Sequence, residues 1–141
     1  MMNKIIQLTT ICLGLLVLNA CKQKEEQPDE YVFAVQLVND PIKIQEYLNY
    51  HKKVWPEVEA GFKKAGYENI RMYHFKNYVA MIVQVPKGAD LSKMGKTKEL
   101  NTARVKEWNT LMATYQKGLP GTNSETTWVA MDKMYEFQKK E

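Results

Sequence analysis

The chain has 141 residues, of which 45% are hydrophobic and 26% charged, so it fits one globular domain and excludes a disordered chain or a two-domain enzyme. Its net charge of +4 is small and its basic residues are scattered, which indicates no nucleic-acid partner. Two cysteines are too few for a disulfide framework or a four-thiolate zinc site, and two histidines leave little room for a histidine-rich metal centre.

The N-terminus is typical of a bacterial lipoprotein leader. Lys4 supplies a positive start, an apolar run covers 11–18, and the letters LNAC end at Cys21. We therefore predict a signal peptide over 1–20, lipid on Cys21, and a polar tether over 21–30 that buries nothing. The lipid would anchor the protein in the bacterial cell envelope, on the periplasmic or the surface side. An uncleaved membrane anchor and an ordinary secretory signal are the alternatives.

The globular domain is predicted over 31–137, followed by a charged tail over 138–141. It opens with a strand over 31–38, which is rich in β-branched and aromatic residues. Asp40 and Pro41 come next, a pair typical of a helix N-cap with proline at the first helical position. A helix is therefore expected from Pro41 onwards.

This first helix is predicted to have one apolar face. Apolar and aromatic side chains recur along it at three- and four-residue steps: Ile44, Tyr47, His51, Val54, Trp55, Val58 and Phe62. Pro56 lies inside the stretch and removes a backbone donor, so the helix should kink or restart near Trp55. Gly66 is expected to end it.

Four further elements complete the predicted domain. Two strands, over 69–75 and 78–85, are separated by a short hairpin turn at 76–77. A second helix is predicted over 99–117 and a last strand over 126–137. The resulting order, βαββαβ, is the split βαβ pattern of ferredoxin-like α+β folds. Such a sheet has one face under its helices, and the exposed apolar second face favours a homodimer in which two sheets face each other.

The candidate site lies on the first helix, where Tyr47, His51 and Trp55 are spaced four residues apart and share one face. A histidine on such a face is either a packed core residue or a proton-transfer group in a pocket, and imidazole is well suited to move protons near neutral pH. On the second helix, Trp108 is either a core residue or a flat apolar wall for a ligand ring. Tyr73, in the first hairpin strand, can offer a hydroxyl.

Three motifs of common enzymes are missing from the sequence. It contains no glycine-rich phosphate loop, no paired-cysteine metal motif and no nucleophile elbow. Their absence argues against nucleotide, metal and hydrolase chemistry, so we expect neither a cofactor nor a metal ion.

The segment 46–58, EYLNYHKKVWPEV, resembles the hallmark of the L-rhamnose mutarotase family, in which a tyrosine, a histidine and then Trp-Pro-Glu follow one another at four-residue steps. Further pieces of the family pattern follow in order, so that the resemblance covers 31–137. These pieces are NxxxY from Asn69, WxxLM from Trp108, LPG from Leu119 and WVxM from Trp128.

The family is described as small dimeric α+β-barrel proteins that interconvert the α and β anomers of deoxyhexoses without a cofactor. By this resemblance, His51 matches the acid/base histidine and Tyr47 the tyrosine one turn before it. Trp108 matches a tryptophan that contacts the sugar, Tyr73 matches a tyrosine near the pocket, and Trp55 would join Trp108 in an apolar wall. The resemblance thus implies a homodimeric mutarotase for an L-rhamnose or L-fucose type sugar, here in a lipoprotein form.

Two positions depart from the best-known rhamnose enzymes, which have a tyrosine where this chain has Ile70 and a tryptophan where it has Asn109. The LPG and WVxM segments are closer to an L-fucose mutarotase branch, so the identity of the deoxy sugar stays open. Two other functions also stay open. One is a cofactor-free monooxygenase on the same dimeric barrel, and the other is a sugar-binding lipoprotein without catalysis.

Overall fold

The computed structural model describes residues 26–122 and 127–139. The strands are β1 (Asp29–Leu37), β2 (Asn69–Phe75), β3 (Tyr78–Val85), β4 (Gln116–Lys117) and β5 (Val129–Met131). The helices are α1 (Pro41–Lys52), α2 (Pro56–Ala65), α3 (Leu91–Met94) and α4 (Ala103–Ala113), with a 3-10 turn at Lys98–Leu100. The predicted signal peptide (1–20), Cys21 and the first half of the predicted tether (21–30) lie outside the described residues. The tether ends earlier than predicted, because Asp29 and Glu30 already belong to β1 and pair with β3. Within the described ranges, no helix is both long and apolar enough to cross a membrane.

The strands form one antiparallel sheet in the order β2-β3-β1, and β1 also pairs with both β4 and β5. The core lies on one face of this sheet. There Val35 of β1 and Val79 of β3 face each other and join a cluster with Tyr47 of α1, Val58 of α2 and Trp108 of α4. The fold is therefore the ferredoxin-like α+β arrangement that the order of the predicted elements indicated.

Local signals set the boundaries of the first two helices as predicted. The Asp40 carboxylate accepts hydrogen bonds from the backbone N–H groups of Ile42 (2.9 Å) and Lys43 (3.3 Å), which caps α1. The helix stops before Pro56 and restarts there as α2, so the predicted break near Trp55 is confirmed. Gly66 ends α2 with a φ of 92°, a conformation that favours glycine.

The second long helix is shorter than the predicted span of 99–117. Thr102 caps it through a hydrogen bond from the backbone N–H of Val105 to the Thr102 hydroxyl (3.3 Å), and the residues before this cap form the 3-10 turn. The helix ends at Ala113, because Gln116 and Lys117 pair with β1 instead. From this strand, the side chain of Gln116 reaches the cavity described below.

The prediction of a long last strand over 126–137 is wrong. Only Val129–Met131 pairs with β1, and 132–139 has no strand partner in the described part of the chain. Met134, Tyr135 and Phe137 are exposed, Met134 to 96%. The alternating apolar composition favours a strand, but a strand also needs hydrogen bonds from its backbone groups to a neighbour, and after Met131 the chain no longer pairs with β1, although β1 continues to Asp29.

The second face of the sheet is exposed and mainly apolar, with a polar cluster of Glu30, Arg71 and Gln84 at one end. Tyr73 of β2 pairs with Ala80 of β3, and Ala80 pairs with Ala34 of β1, so all three lie on this face. Tyr73 is 57% exposed, and Phe75 and Met131 are exposed as well. The expected uncovered apolar face is therefore present.

Gly61 provides a test of the packing between α2 and the 3-10 turn. A Cβ at this position would lie 3.0 Å from the backbone oxygen of Glu99 and 3.1 Å from Cδ2 of Leu100. We expect Gly61→Ala to lower the free energy of unfolding by about 1–3 kcal/mol through overpacking, despite the better helix propensity of alanine. Urea denaturation measures this, with Gly95→Ala as the control.

Gly95 is a matched control because its nearest neighbour would be 3.7 Å from the new Cβ and its φ is −63°. Gly95→Ala is expected to change the free energy of unfolding by less than about 0.5 kcal/mol. Equal stability of Gly61→Ala and the native protein would show that α2 has room to move away from the turn.

Candidate active site

A cavity of about 1270 Å³ lies between the helices and the covered face of the sheet. Its floor includes a row of side chains that crosses three strands, since Phe33 of β1 pairs with Met81 of β3 and Met81 pairs with Met72 of β2. Its walls come from α1, α2, α4, β4 and the segment before β5, and include Tyr47, His51, Trp108, Met112, Gln116 and Trp128. The cavity is a mainly apolar space with a few polar groups, as small-molecule sites usually are.

His51 is positioned by its own helix. Its Nδ1 atom lies 2.9 Å from the backbone oxygen of Tyr47, one turn earlier. A carbonyl oxygen only accepts, so Nδ1 carries the proton and the lone pair of the neutral ring is on Nε2. Burial lowers the pKa of His51 from its ordinary value of 6.5, and the hydrogen bond to Tyr47 opposes this in part. The neutral imidazole, a proton acceptor, is therefore the favoured form at neutral pH.

Tyr47 is a proton donor, whereas the neutral His51 is a proton acceptor. The Tyr47 side chain is 1% exposed, and burial raises the pKa of its phenol to about 12. The amide nitrogen of Gln116 donates to the Tyr47 hydroxyl oxygen at 3.3 Å, which leaves the phenolic proton free for another acceptor. The rings of Tyr47 and His51 are in contact, with centroids 4.3 Å apart. A proton donor and a proton acceptor thus stand side by side on one wall of the cavity.

Trp108 forms an aromatic wall beside this pair. It is 6% exposed, and its ring centroid lies 5.6 Å from that of His51. Tyr50 and Trp55 contact the same indole ring edge to face, at 6.1 Å and 5.3 Å. The ring is therefore held on several sides, which makes it a fixed surface for the apolar face of a ligand.

Trp55 does not line this cavity, although the sequence places it on the same helical face as His51. The helix break at Pro56 turns its ring away, against Arg104, whose guanidinium carbon lies 3.5 Å from the ring centroid. Arg104 also forms an ion pair with Glu107 at 2.8 Å. Trp55 reaches the cavity only through its contact with Trp108, so it supports the wall rather than forming it.

Tyr73 is also not brought to the cavity. Side chains alternate along β2, so Ile70 and Met72 line the cavity while Tyr73 lies on the opposite, exposed face of the sheet. Ile70 and Asn109, the two positions that depart from the rhamnose enzymes, both line the cavity.

Gln116 and Trp128 are site residues that the sequence reasoning did not select. Gln116 was predicted to be inside a helix, where its contact with a residue 69 positions away has no local signal. Trp128 belongs to the WVxM segment of the family pattern, and that motif was the signal that could have identified it. Among the described residues, no group of three or more histidine, cysteine, aspartate or glutamate side chains is arranged to hold a metal ion.

Comparisons of the sequence with known proteins identify a family and several similar proteins. The family model described as L-rhamnose mutarotase matches residues 30–137. A UPF0734 protein of Dictyostelium discoideum is 30% identical over 111 residues, which cover 76% of this chain and 88% of that protein. The L-fucose mutarotase of Xanthomonas campestris is 28% identical over 99 residues, which cover 68% of this chain and 78% of that enzyme.

Solved structures share the fold at lower sequence identity. The crystal structure of an L-rhamnose mutarotase from Formosa agariphila matches with a TM-score of 0.56 and 18% identity, over 78% of this chain and 99% of that one. A dimeric ferredoxin-like protein from an uncultured marine organism matches with a TM-score of 0.51 and 10% identity, over 82% of this chain and 96% of that one. Since the family match extends over the whole described fold from β1 to β5 and includes the donor–acceptor pair on α1, the chain belongs to the L-rhamnose mutarotase family.

Proposed function

We propose that the protein is an aldose mutarotase that interconverts the α and β anomers of a deoxyhexose of the L-rhamnose or L-fucose type. The observation that carries the proposal is the contact between a neutral His51 and a protonated Tyr47 in one cavity. Opening a sugar ring requires the removal of one proton and the delivery of another, and these two side chains supply both. Membership of the family supports the same activity.

The proposed reaction starts with the C1 hydroxyl near His51 and the ring oxygen O5 near Tyr47. Nε2 of His51 takes the proton from the C1 hydroxyl, the C1–O5 bond breaks as C1 becomes an aldehyde carbon, and the Tyr47 hydroxyl donates its proton to O5. The C1–C2 bond then rotates. Ring closure returns one proton to Tyr47 and the other to the new C1 hydroxyl, so the protein ends unchanged.

Two neighbouring groups suit this chemistry. The amide of Gln116 donates to the Tyr47 oxygen, so it stabilises the negative charge that develops there when the proton leaves. Trp108 and the floor residue Met72 offer apolar surface to the C–H face and the methyl group of a deoxy sugar. The site therefore has separate places for the reacting oxygens and for the apolar part of the substrate.

Exchange NMR tests the proposal directly. Saturation of the α anomeric proton is followed at the β anomeric proton for L-rhamnose, L-fucose and D-glucose, with and without the purified protein. Protein-dependent transfer with a deoxy sugar is the expected result. Line broadening without transfer would instead identify a sugar-binding protein, and oxygen uptake with phenols in the absence of any transfer would favour the monooxygenase function.

The lowered pKa of His51 predicts the pH dependence of the activity. A general base acts in its deprotonated form, so activity is retained above the pKa and lost as the pH falls through it. Since burial lowers this pKa, the midpoint of the loss is expected below 6.5. The protein-dependent exchange rate, after subtraction of the rate in buffer at each pH, measures it. A midpoint above 6.5 would contradict the assignment of His51 as the base.

We also propose that the protein forms a homodimer through the exposed apolar face of the sheet, where Tyr73 and Phe75 lie. The related ferredoxin-like protein from the marine organism is dimeric, which supports the proposal. Tyr73→Glu is expected to shift the molar mass measured by light scattering from that of a dimer to that of a monomer, because a buried unpaired charge is costly. The matched control is Lys64→Glu at an exposed position on α2, away from this face of the sheet, which should leave the mass unchanged.

The lipid anchor on Cys21 remains a separate proposal. It rests on the leader sequence, and the family match begins only at residue 30. Lipidation would place the protein in the detergent phase of a two-phase extraction and add mass to the N-terminal peptide. Cys21→Ala should move it to the aqueous phase, while Cys12→Ala should not. A native protein that stays in the aqueous phase would contradict the anchor.

A further inference from the structure

The cavity extends well beyond the proton-transfer pair. Gln116 lies on β4 and Ile70 on β2, and these strands are at opposite sides of the sheet, three strand spacings apart. At the usual spacing of neighbouring strands this is about 14 Å. The cavity volume of about 1270 Å³ also exceeds the range of roughly 300–1,000 Å³ that is usual for sites of drug-sized ligands. A single deoxyhexose fills only part of such a space.

The two ends of the cavity differ in character. Near His51 the wall is formed by the buried side chains of Tyr47 and Trp108. The end formed by α2 and the start of β2 is open and polar. Its exposed side chains, here called the rim, are Glu59, Lys63 and Glu68.

The rim has polar groups that are free to bind a ligand. In the described part of the chain, Glu59, Lys63 and Glu68 take part in no ion pair. Two aromatic rings stand beside them, since Phe62 and Tyr67 line the same end and contact each other with centroids 5.3 Å apart. Hydroxyl groups of a sugar suit the polar side chains, and its C–H faces suit the aromatic rings.

An apolar floor connects the two ends. The row formed by Phe33, Met81 and Met72 runs across the sheet between them, and Ile70 and Val83 form the next pair in register. A ligand that binds at both ends would therefore lie along a continuous surface rather than cross a barrier.

We propose that the cavity binds the reducing end of a short oligosaccharide, with the anomeric sugar at His51 and the next sugar at the rim. This inference rests on the proposed mutarotase function. Within a pyranose ring, C4 lies opposite C1, so a sugar linked to O4 would extend along the floor towards the rim. O2 is next to C1 on the side away from O5, so a sugar linked there would stay beside His51 and meet the buried wall at Trp108 instead of extending towards the rim.

The test compares three substrates for each of L-rhamnose and L-fucose: the free sugar, its disaccharide with a D-glucosyl group on O4, and its disaccharide with the group on O2. Exchange NMR follows the anomeric protons of the reducing-end sugar. We expect the rate for the O4-linked disaccharide to stay within about tenfold of the free sugar, and the O2-linked disaccharide to be at least about tenfold slower, since its second sugar would overpack the buried wall at Trp108.

The outcomes separate this inference from the proposed function. Exchange of the free sugar with none of the O4-linked disaccharide would overturn the inference and leave the mutarotase function in place. Equal exchange of both disaccharides would overturn the proposed direction of the chain along the floor. No exchange of any substrate would overturn the function and the inference together.

A variant of the rim gives a second readout. Lys63→Ala is expected to raise the ratio of the KM for the O4-linked disaccharide to the KM for the free sugar by about two- to tenfold, the effect of one lost hydrogen bond. Lys64 is its exposed neighbour and does not line the cavity, so Lys64→Ala is the matched control and should leave the ratio unchanged. An unchanged ratio of KM values in Lys63→Ala would show that Lys63 does not bind the second sugar.

Discussion

Replacement of His51 by glutamine is expected to slow protein-dependent anomer exchange by about 10²–10⁴-fold, the usual contribution of general acid–base catalysis. The glutamine amide corresponds in position to Nε2 and keeps a polar group there, while the hydrogen bond from Nδ1 to the Tyr47 backbone oxygen, 2.9 Å long, is lost. It has no basic nitrogen that could take the proton from the C1 hydroxyl. The loss should therefore appear in kcat, with a much smaller change in KM.

The second histidine offers a matched control. His74 lies on β2, is exposed and does not line the cavity, so His74→Gln should keep the native exchange rate. Thermal unfolding of both variants shows whether the fold is intact. Native exchange in His51→Gln would contradict the base assignment. If His51→Gln unfolds, His51→Asn decides, since its amide nitrogen can take the place of Nδ1 and donate to the Tyr47 backbone oxygen, and the same loss of exchange is expected.

Replacement of Trp108 by alanine should have the largest effect on stability, about 3–5 kcal/mol in the free energy of unfolding. The indole is 6% exposed and contacts Tyr50, His51 and Trp55, so alanine leaves a cavity that these rings are too constrained to fill. The midpoint of urea denaturation, with the slope checked for two-state behaviour, measures the loss.

Trp108→Phe separates the two roles of this residue. Phenylalanine keeps most of the apolar surface, so it should lose much less stability than alanine, while the smaller ring should still raise KM for the sugar because the wall recedes. A loss of less than about 1 kcal/mol in Trp108→Ala would show that the indole is not an integral part of the core.

Local sequence signals predicted the parts of the fold that local chemistry controls. Asp40, Pro56 and Gly66 set helix ends because each acts on the backbone within a few residues of itself. The hairpin between β2 and β3 also has its predicted bounds, since it depends on a turn of two residues.

Predictions that depended on distant partners were less accurate. The last strand, predicted over 126–137, is only Val129–Met131, because strand composition does not reveal how far the chain stays paired with its neighbour, here β1. Helical spacing placed Trp55 on the same face as His51. Because the helix breaks before Pro56, the Trp55 ring packs against Arg104, while His51 lines the cavity. The contact between Gln116 and Tyr47 joins the two halves of the chain, so only the folded sheet brings it about.

The residues that line the site come from two kinds of secondary structure. Tyr47 and His51 are on one helix, where a single turn fixes their relation to each other, whereas Ile70 and Met72 are on a strand beneath them. Substitutions on the strand change the shape of the floor without moving the helix turn. Under the proposed function, substitutions on the strand are therefore expected to change which sugar binds while the geometry of the Tyr47–His51 pair is kept.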